Sequence, residues 1–464
     1  MAATDSEDFN IKQGKIIMIH SRKSGFCLWL LFVLFFLPRF STADDSEKQL
    51  RLGEAIQLAL EQNISLRISS NSVSGAKIDV NQSRMEFLPN VSASLSSSKD
   101  FPKTGNENES VNASVSSGLN LFNGFYDISR LNKAGLDLAA EEAGYNRSRE
   151  SVVFETISRF VQVVLNNEFI GIEKNNLEAQ MIQLKQIEEF RKAGNRSKAD
   201  VYQQLADIKQ NELNVLNAAS EYEVSRNLLS RTLGIQLNDD MKFLAPEIDL
   251  ITQKITSSGP DQETFQMEVN SRRFDLRAQQ LNIESGTEQI RAAKSGYWPS
   301  VSLTASAGSN YSGSVQGYSF SDQLFDENPY VRLGLSVSVP LFDRFYTKYN
   351  VQQANIQLST QKMMLEDLKL EINNEIRQAM FDYKSALKQK ELAQARKEYA
   401  LEALKISEER YRVGSSTYVE MSQVRASYVT AAYQKVSADY NLLLKYAAVY
   451  YYGGNIDEVI TLFN

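Results

Sequence analysis

Val111–Phe122, VNASVSSGLNLF, is the stretch on which the fold turns. Val111, Ala113, Val115, Ser117, Leu119 and Leu121 share one parity, and Asn112, Ser114, Ser116, Gly118 and Asn120 the other. Side chains alternate sides along a strand, so one face is mostly apolar and the other small and polar. Phe125 and Tyr126 follow at once, then a run with no proline until Pro246. Some 220 residues later the arrangement recurs: Val331, Leu333, Leu335, Val337, Val339 and Leu341 alternate with Arg332, Gly334, Ser336, Ser338 and Pro340, before Phe345, Tyr346 and a second proline-free run. The chain is a duplicated strand-then-long-helix unit.

Each strand has a partner just upstream. Val91, Ala93 and Leu95 alternate with serines after Pro89, and the polar turn 101–110 closes a hairpin over 90–122. Val301, Leu303, Ala305 and Ala307 follow Pro299, and a longer aromatic and acidic loop, 309–329, closes a hairpin over 300–341. Helices are expected before each hairpin, over Leu52–Leu60 and Leu66–Phe87 in one half and Glu263–Val269 and Leu276–Tyr297 in the other. After each comes a long helix, Tyr126–Arg191 and Phe345–Arg410, about 66 residues or roughly 100 Å. Such lengths mark coiled-coil rods. Gly194 and Gly414 end them, and Val201–Leu233 and Tyr418–Tyr452 return along them with apolar residues on alternating three-four spacing. The expected divisions are 1–43; a first repeat, 44–234, with helix hairpin 126–234; a linker or equatorial segment, 235–262; and a second repeat, 263–464, with helix hairpin 344–452 and a short tail from Gly453. Residues 44–51 read as a loose lead-in.

Residues 15–43 have the pattern of an export signal: Lys15, Arg22 and Lys23, the apolar run Phe26–Leu37, then Ser41-Thr42-Ala43. The upstream extension 1–14 is acidic, and Met18 reads as the initiator. Removal of 1–43 takes away the only Cys (Cys27) and the only His (His20). It leaves 45 basic and 54 acidic residues, a net charge of −9 against −7 for the whole chain. Catalysis by a Ser-His-Asp or Cys-His set and zinc sites of His and Cys are thereby excluded. No enzyme, cofactor or metal site is expected, and the acidic balance argues against nucleic acid.

Ten-residue strands of alternating apolar and small polar character fit a transmembrane barrel better than a soluble sandwich, for which four strands are too few. Aromatics flank the hairpins as an interfacial girdle would: Phe122 and Phe125 in one repeat, Trp298, Phe342 and Phe345 in the other. Contacts between hairpin and helix would explain any single one of them. Four strands cannot close a barrel, and open edges are not tolerated in lipid. The chain must therefore oligomerise, and three copies would supply twelve strands. Arg332 faces the lumen by parity, to tune selectivity or simply to sit at the rim.

LGEAIQLAL (52–60), FLPNVSAS (87–94), YWPSVSLTAS (297–306), VSVPLFDRF (337–345) and Tyr411-Arg412-Val413-Gly414, in this order and spacing, resemble the TolC-like outer membrane efflux proteins. The resemblance covers essentially all of the mature chain. It implies an α+β membrane protein: a homotrimer whose twelve-stranded barrel sits in the outer membrane and continues as an α-helical barrel across the periplasm. The implied partners are a periplasmic adaptor (membrane fusion protein), an inner-membrane transporter and outer-membrane lipid. It further implies a gate at the helical tip. By position Asp200 and Glu420 are the acidic candidates, while a second acid of the family falls on Gln423. The family's Arg latch falls on Ser416, and Tyr411 matches the latch Tyr, so a different closing contact is expected. Ser197–Asp200 and Thr417–Glu420 also read as capping boxes, which would give the acids a purely local role. Gly194 and Asn195, and Val413, Gly414 and Ser415, are the candidate adaptor-docking turns. The competing reading is a pore-less periplasmic coiled-coil scaffold or adaptor, which leaves the alternating strands unexplained.

Overall fold

The computed structural model describes residues 49–101, 103–104, 107–238, 240–257, 269 and 271–461. The export signal, and all but the last residue of the helix expected over Glu263–Val269, lie outside them. The chain runs β1 (Gln49–Leu50), α1 (Leu52–Gln62), α2 (Ile64–Met85), β2 (Asn90–Asp100), β3 (Asn108–Asn123), α3 (Tyr126–Lys192) and α4 (Lys198–Leu233). A bridge of β4 (Lys242–Phe243) and α5 (Ile248–Ser257) leads to α6 (Phe274–Lys294), β5 (Ser300–Ser312), β6 (Tyr330–Ser338), α7 (Tyr346–Arg412), α8 (Tyr418–Tyr452) and α9 (Asp457–Ile460).

The two hairpins form one antiparallel sheet, ordered β2-β3-β5-β6, in which β3 pairs with β5. Its register sorts the side chains by face. One row across it is Val91, Ser117, Ala305 and Leu333, and the next is Ser92, Ser116, Ser306 and Arg332. On the polar face the hydroxyls of Ser92 and Ser116, and of Ser94 and Ser114, bond across the strands at 2.9 Å. The apolar face is bare: Leu95 is 77% and Leu333 74% exposed. Two details depart from the expected alternation. A bulge leaves Leu121 unpaired, so that Phe122, opposite Val301, joins the apolar face in its place. β6 stops at Ser338 rather than running to Leu341, because Pro340 has no amide to donate. β3 and β5 each run further into their connections than the sequence indicated, and β2 ends at Asp100, just before the expected turn.

α3 and α7 are each 67 residues long. Near the sheet, α2 packs on α3, α3 on α6 and α6 on α7; further out, α4 lies along α3 and α8 along α7. α2 and α7 thus end a row of helices, as β2 and β6 end the sheet. The core gathers where these groups meet. Phe160 and Ile157 of α3, Ile56 of α1, Leu229 and Leu233 of α4, Ile372 of α7 and Leu442 of α8 are all buried there. The segments expected to be loose belong to this belt. Leu50 is buried and β1 pairs in parallel with β4, so 49–50 is no lead-in. α5 closes over α7 and α8, with Tyr383 donating to the Ile255 carbonyl at 3.1 Å and Ile251 and Ile255 buried. Beyond Gly453, Ile456 and Val459 are buried at 1% and 0% exposure, so this is a docked segment rather than a free tail.

Candidate functional site

The α3–α4 and α7–α8 reversals are built alike. Gly194 (φ +81°) and Gly414 (φ +82°) take the left-handed conformation that closes a helix end. The amides of Asn195 and Ser415 reach back to the carbonyls of Phe190 at 2.9 Å and Arg410 at 2.8 Å. Val413 is 62% exposed at the end of its reversal, and Asn195 and Ser415 are exposed beside it. The candidate docking residues therefore lie on free surface in this chain.

The two reversals meet through a small core of Ile187, Tyr411, Tyr418 and Met421, with Val201 against it. Tyr411 is 1% exposed, and its ring meets that of Tyr418 edge-on at 6.1 Å. The Arg196 guanidinium lies 4.2 Å from the Tyr411 ring centroid and donates to the Tyr411 carbonyl. Arg196 stands two residues after Gly194, as Ser416 stands two after Gly414. Sequence reasoning sought an arginine on the second reversal and found Ser416; the structure places the guanidinium on the first. Comparing the residues two past each glycine would have found it. Burial, and then the Asp200 carboxylate, push the Tyr411 hydroxyl up from its ordinary pKa. Further along, Tyr418 donates to Asp207 at 2.7 Å, Ser422 donates to the same oxygen at 3.1 Å, and Tyr433 donates to Glu173 at 2.7 Å. Hydroxyl-to-carboxylate bonds thus tie the second helix hairpin to the first.

The acidic candidates differ. Thr417 and Glu420 form a complete capping box, and the Glu420 carboxylate also accepts from Ser416 Oγ at 2.8 Å. The Ser416 hydroxyl, and then the Thr417 amide, hold this carboxyl below the usual range. Ser197 and Asp200 make only half of the expected box: Ser197 Oγ accepts from the Asp200 amide at 3.1 Å, and the Asp200 side chain stays half-buried beside Tyr411. No hydrogen bond joins Asp200 to Glu420 among the described residues. Gln423 is exposed on the helix that Glu420 opens.

At the other end of each long helix the candidate girdle aromatics touch one another. Phe122 meets Phe125 edge-on at 5.2 Å, Phe342 meets Phe345 at 5.7 Å, and Trp298 stands 6.2 Å from Phe125. Phe125 and Phe345 have φ of +66° and +64°, an uncommon conformation for bulky residues, and it is repeated at the same corner of both halves. Phe125 packs on Phe122 and Trp298, and Phe345 on Phe342, yet both stay about half exposed, so neither the girdle nor the local-contact reading is complete alone.

The family model described as "Outer membrane efflux protein" matches residues 55–235 and again 267–455, once on each repeat. Outer membrane protein TolC of Salmonella enteritidis is 23% identical over 434 residues, 91% of this chain and 85% of that protein. Among solved structures, CusC superposes with a TM-score of 0.76 at 15% identity, over 87% of this chain and 92% of that one. The CmeC outer membrane channel of Campylobacter jejuni does so with a TM-score of 0.74 at 18% identity, over 89% and 90%.

Proposed function

The chain belongs to the outer membrane efflux protein family, and from that premise we propose that three copies close head to tail into the outer-membrane exit duct of a tripartite efflux or type I secretion system. Periplasmic substrate would enter at the helical tip, handed on by an inner-membrane transporter through a periplasmic adaptor. The observation that carries this reading is the pair of unfinished ends. β2 and β6 are the sheet's outer strands. The helix leading into β2 exposes Ile64, Ile68, Ile78 and Met85. The helix leaving β6 exposes Tyr349, Ile356, Met363 and Leu370, each seven residues after the last and all at least 60% exposed. A seven-residue repeat is the period of a helix seam. Edge and stripe sit together at each end of the molecule, so joining one end to the opposite end of the next copy satisfies backbone and side chains at once. Such a contact is heterologous and closes only as a ring. Three copies give twelve strands, within the range of membrane barrels. Among the described residues no helix is long and apolar enough to cross a membrane.

At the tip, Asp200 and Glu420 from each copy would surround a narrow axis and attract cations, and the Arg196–Tyr411 contact would hold the second helix hairpin against the first in the closed state. The exposed reversals Gly194-Asn195 and Val413-Gly414-Ser415 are the surfaces offered to the adaptor. The test is the mass of the detergent-purified protein together with its behaviour in a planar bilayer. A trimer with discrete conductance steps, blocked by polyvalent cations from the tip side, is expected. A monomer that stays in the aqueous fraction and conducts nothing would leave the pore-less scaffold as the better account.

A further inference from the structure

The polar face of the sheet is almost free of charge and of bulk. Along β2, β3, β5 and β6 it presents serine, asparagine, threonine and glycine, with one aromatic, Tyr330, and two charged exceptions among the described residues, Asp100 and Arg332. Asp100 ends β2, eight residues past the row that holds Arg332, about 27 Å away at 3.4 Å per residue. In that row Arg332 faces only Ser306, Ser116 and Ser92.

Arg332 is also held in place. Its guanidinium lies 5.2 Å from the Tyr330 ring centroid, two residues back on the same face. Tyr330 in turn lies across Gly308: a β-carbon there would stand 2.9 Å from the Tyr330 hydroxyl oxygen and 2.6 Å from the Ala113 carbonyl. A glycine in the neighbouring strand therefore makes room for the ring on which the cation rests, and stacking holds the guanidinium level with the sheet instead of letting it stretch to the rim. Arg332 makes no ion pair among the described residues, so its charge is uncompensated.

We infer that Arg332, seated on Tyr330, is the selectivity element of the barrel: a belt of guanidinium groups, one per copy, that favours passage of anionic solutes such as carboxylates, phosphates and sulfonates. The inference rests on the ring reading, which turns the polar face toward a lumen. A like-charged belt in a narrow polar pore raises the local concentration of counter-ions and excludes co-ions. The planar fork of arginine suits carboxylate and phosphate oxygens better than a lysine ammonium does. The acids at the far tip act in the opposite sense, so the inference concerns the change between variants and not the sign of the whole channel.

The test is the zero-current potential of the purified full-length channel in a planar bilayer under a potassium chloride gradient. Arg332→Gln should lower the chloride-to-potassium permeability ratio at least about twofold, and Arg332→Glu further. Arg332→Lys should keep the ratio for chloride. Ser92→Arg, a second cation in the same row on the far strand, should raise it. Channels of unchanged conductance in which Arg332→Gln and Ser92→Arg both leave the ratio at the wild-type value would overturn the inference while leaving the duct intact. Wild-type protein that forms no channel overturns the ring reading and this inference with it.

Discussion

At the scale of single residues the tip turns on a guanidinium that reaches from one helix reversal to the other. Arg196 stacks on Tyr411 and bonds its carbonyl. Such a contact, partly shielded from water, is worth about 1–2 kcal/mol. If it holds the closed state, Arg196→Ala should raise the basal conductance of the closed channel by about five- to thirtyfold. Arg196→Lys should rescue it only in part, because an ammonium cannot lie flat on a ring; basal conductance equal to wild type in Arg196→Ala would remove the contact from gating. Glu420 supports a prediction of different sign. Bonds to its charged form depress its folded pKa below the ordinary value of about 4.3. A depressed carboxyl contributes stability that is complete above the unfolded pKa and is lost as pH falls through the folded one. The melting temperature of wild type relative to Glu420→Gln should therefore be flat at neutral pH and shrink below about pH 4. A difference that stays constant from pH 7 to pH 3 would contradict the capping box. The arginine was legible only as the residue two past Gly194, and its contact was not. Resemblance directed attention to Ser416, and only tertiary packing brings the first reversal against Tyr411. The two glycines and the acid six residues past each were legible, since reversal and helix start are written in local chemistry.

Among elements, the belt shows how helix ends that meet far from the sheet are fastened. Arg273, 3% exposed at the start of α6, bonds Asp275 at 2.5 Å, Glu375 of α7 at 3.1 Å and the Tyr452 carbonyl at the end of α8 at 2.9 Å. Arg147 of α3 reaches the Tyr451 carbonyl at 3.2 Å and Glu150 at 3.0 Å. Removing one partner of such a cluster leaves buried charge uncompensated, so Arg273→Ala should cost about 3–5 kcal/mol. Lys388→Ala, at a pair with side chains 62% and 67% exposed, should cost under about 1 kcal/mol. Thermal denaturation of the two variants side by side checks the contrast, and equal losses would refute it. The long helices, their returns and the four strands were readable because each carries a period over many turns or pairs. β1, β4 and α9 were not. A two-residue strand has no period, and Gln49 finds its partner only at Lys242. The bulge at Leu121 escaped notice for a related reason: it is defined by the pairing of β3 with β5, which belongs to neither strand's own sequence.

For the whole molecule, the decisive property is that opposite ends of one chain are unfinished in complementary ways. Ile356 and Met363 lie in the exposed stripe of α7, at 62% and 65% exposure. Within the chain they contact little, so Ile356→Glu with Met363→Glu should leave helix content unchanged while placing six carboxylates in the seams of the proposed trimer. The oligomer should fall apart at least about tenfold more readily, as read by native mass in detergent. An intact trimer at wild-type stability would show that the stripe is not a seam. The strand count raises the expectation of several copies, but the face proposed for their contact was not legible, because the stripe is recognisable as vacant only once the other faces of α7 are occupied. In the proposed ring, complementary ends also make every copy answerable for the whole. A subunit with a sound β2 side and a β6 side blocked by an inserted proline could still be recruited, yet no ring containing it could finish. Expressed in equal amount with the normal chain, it would leave only roughly one eighth of three-membered rings free of it, so one damaged allele would behave as a dominant poison rather than a silent loss.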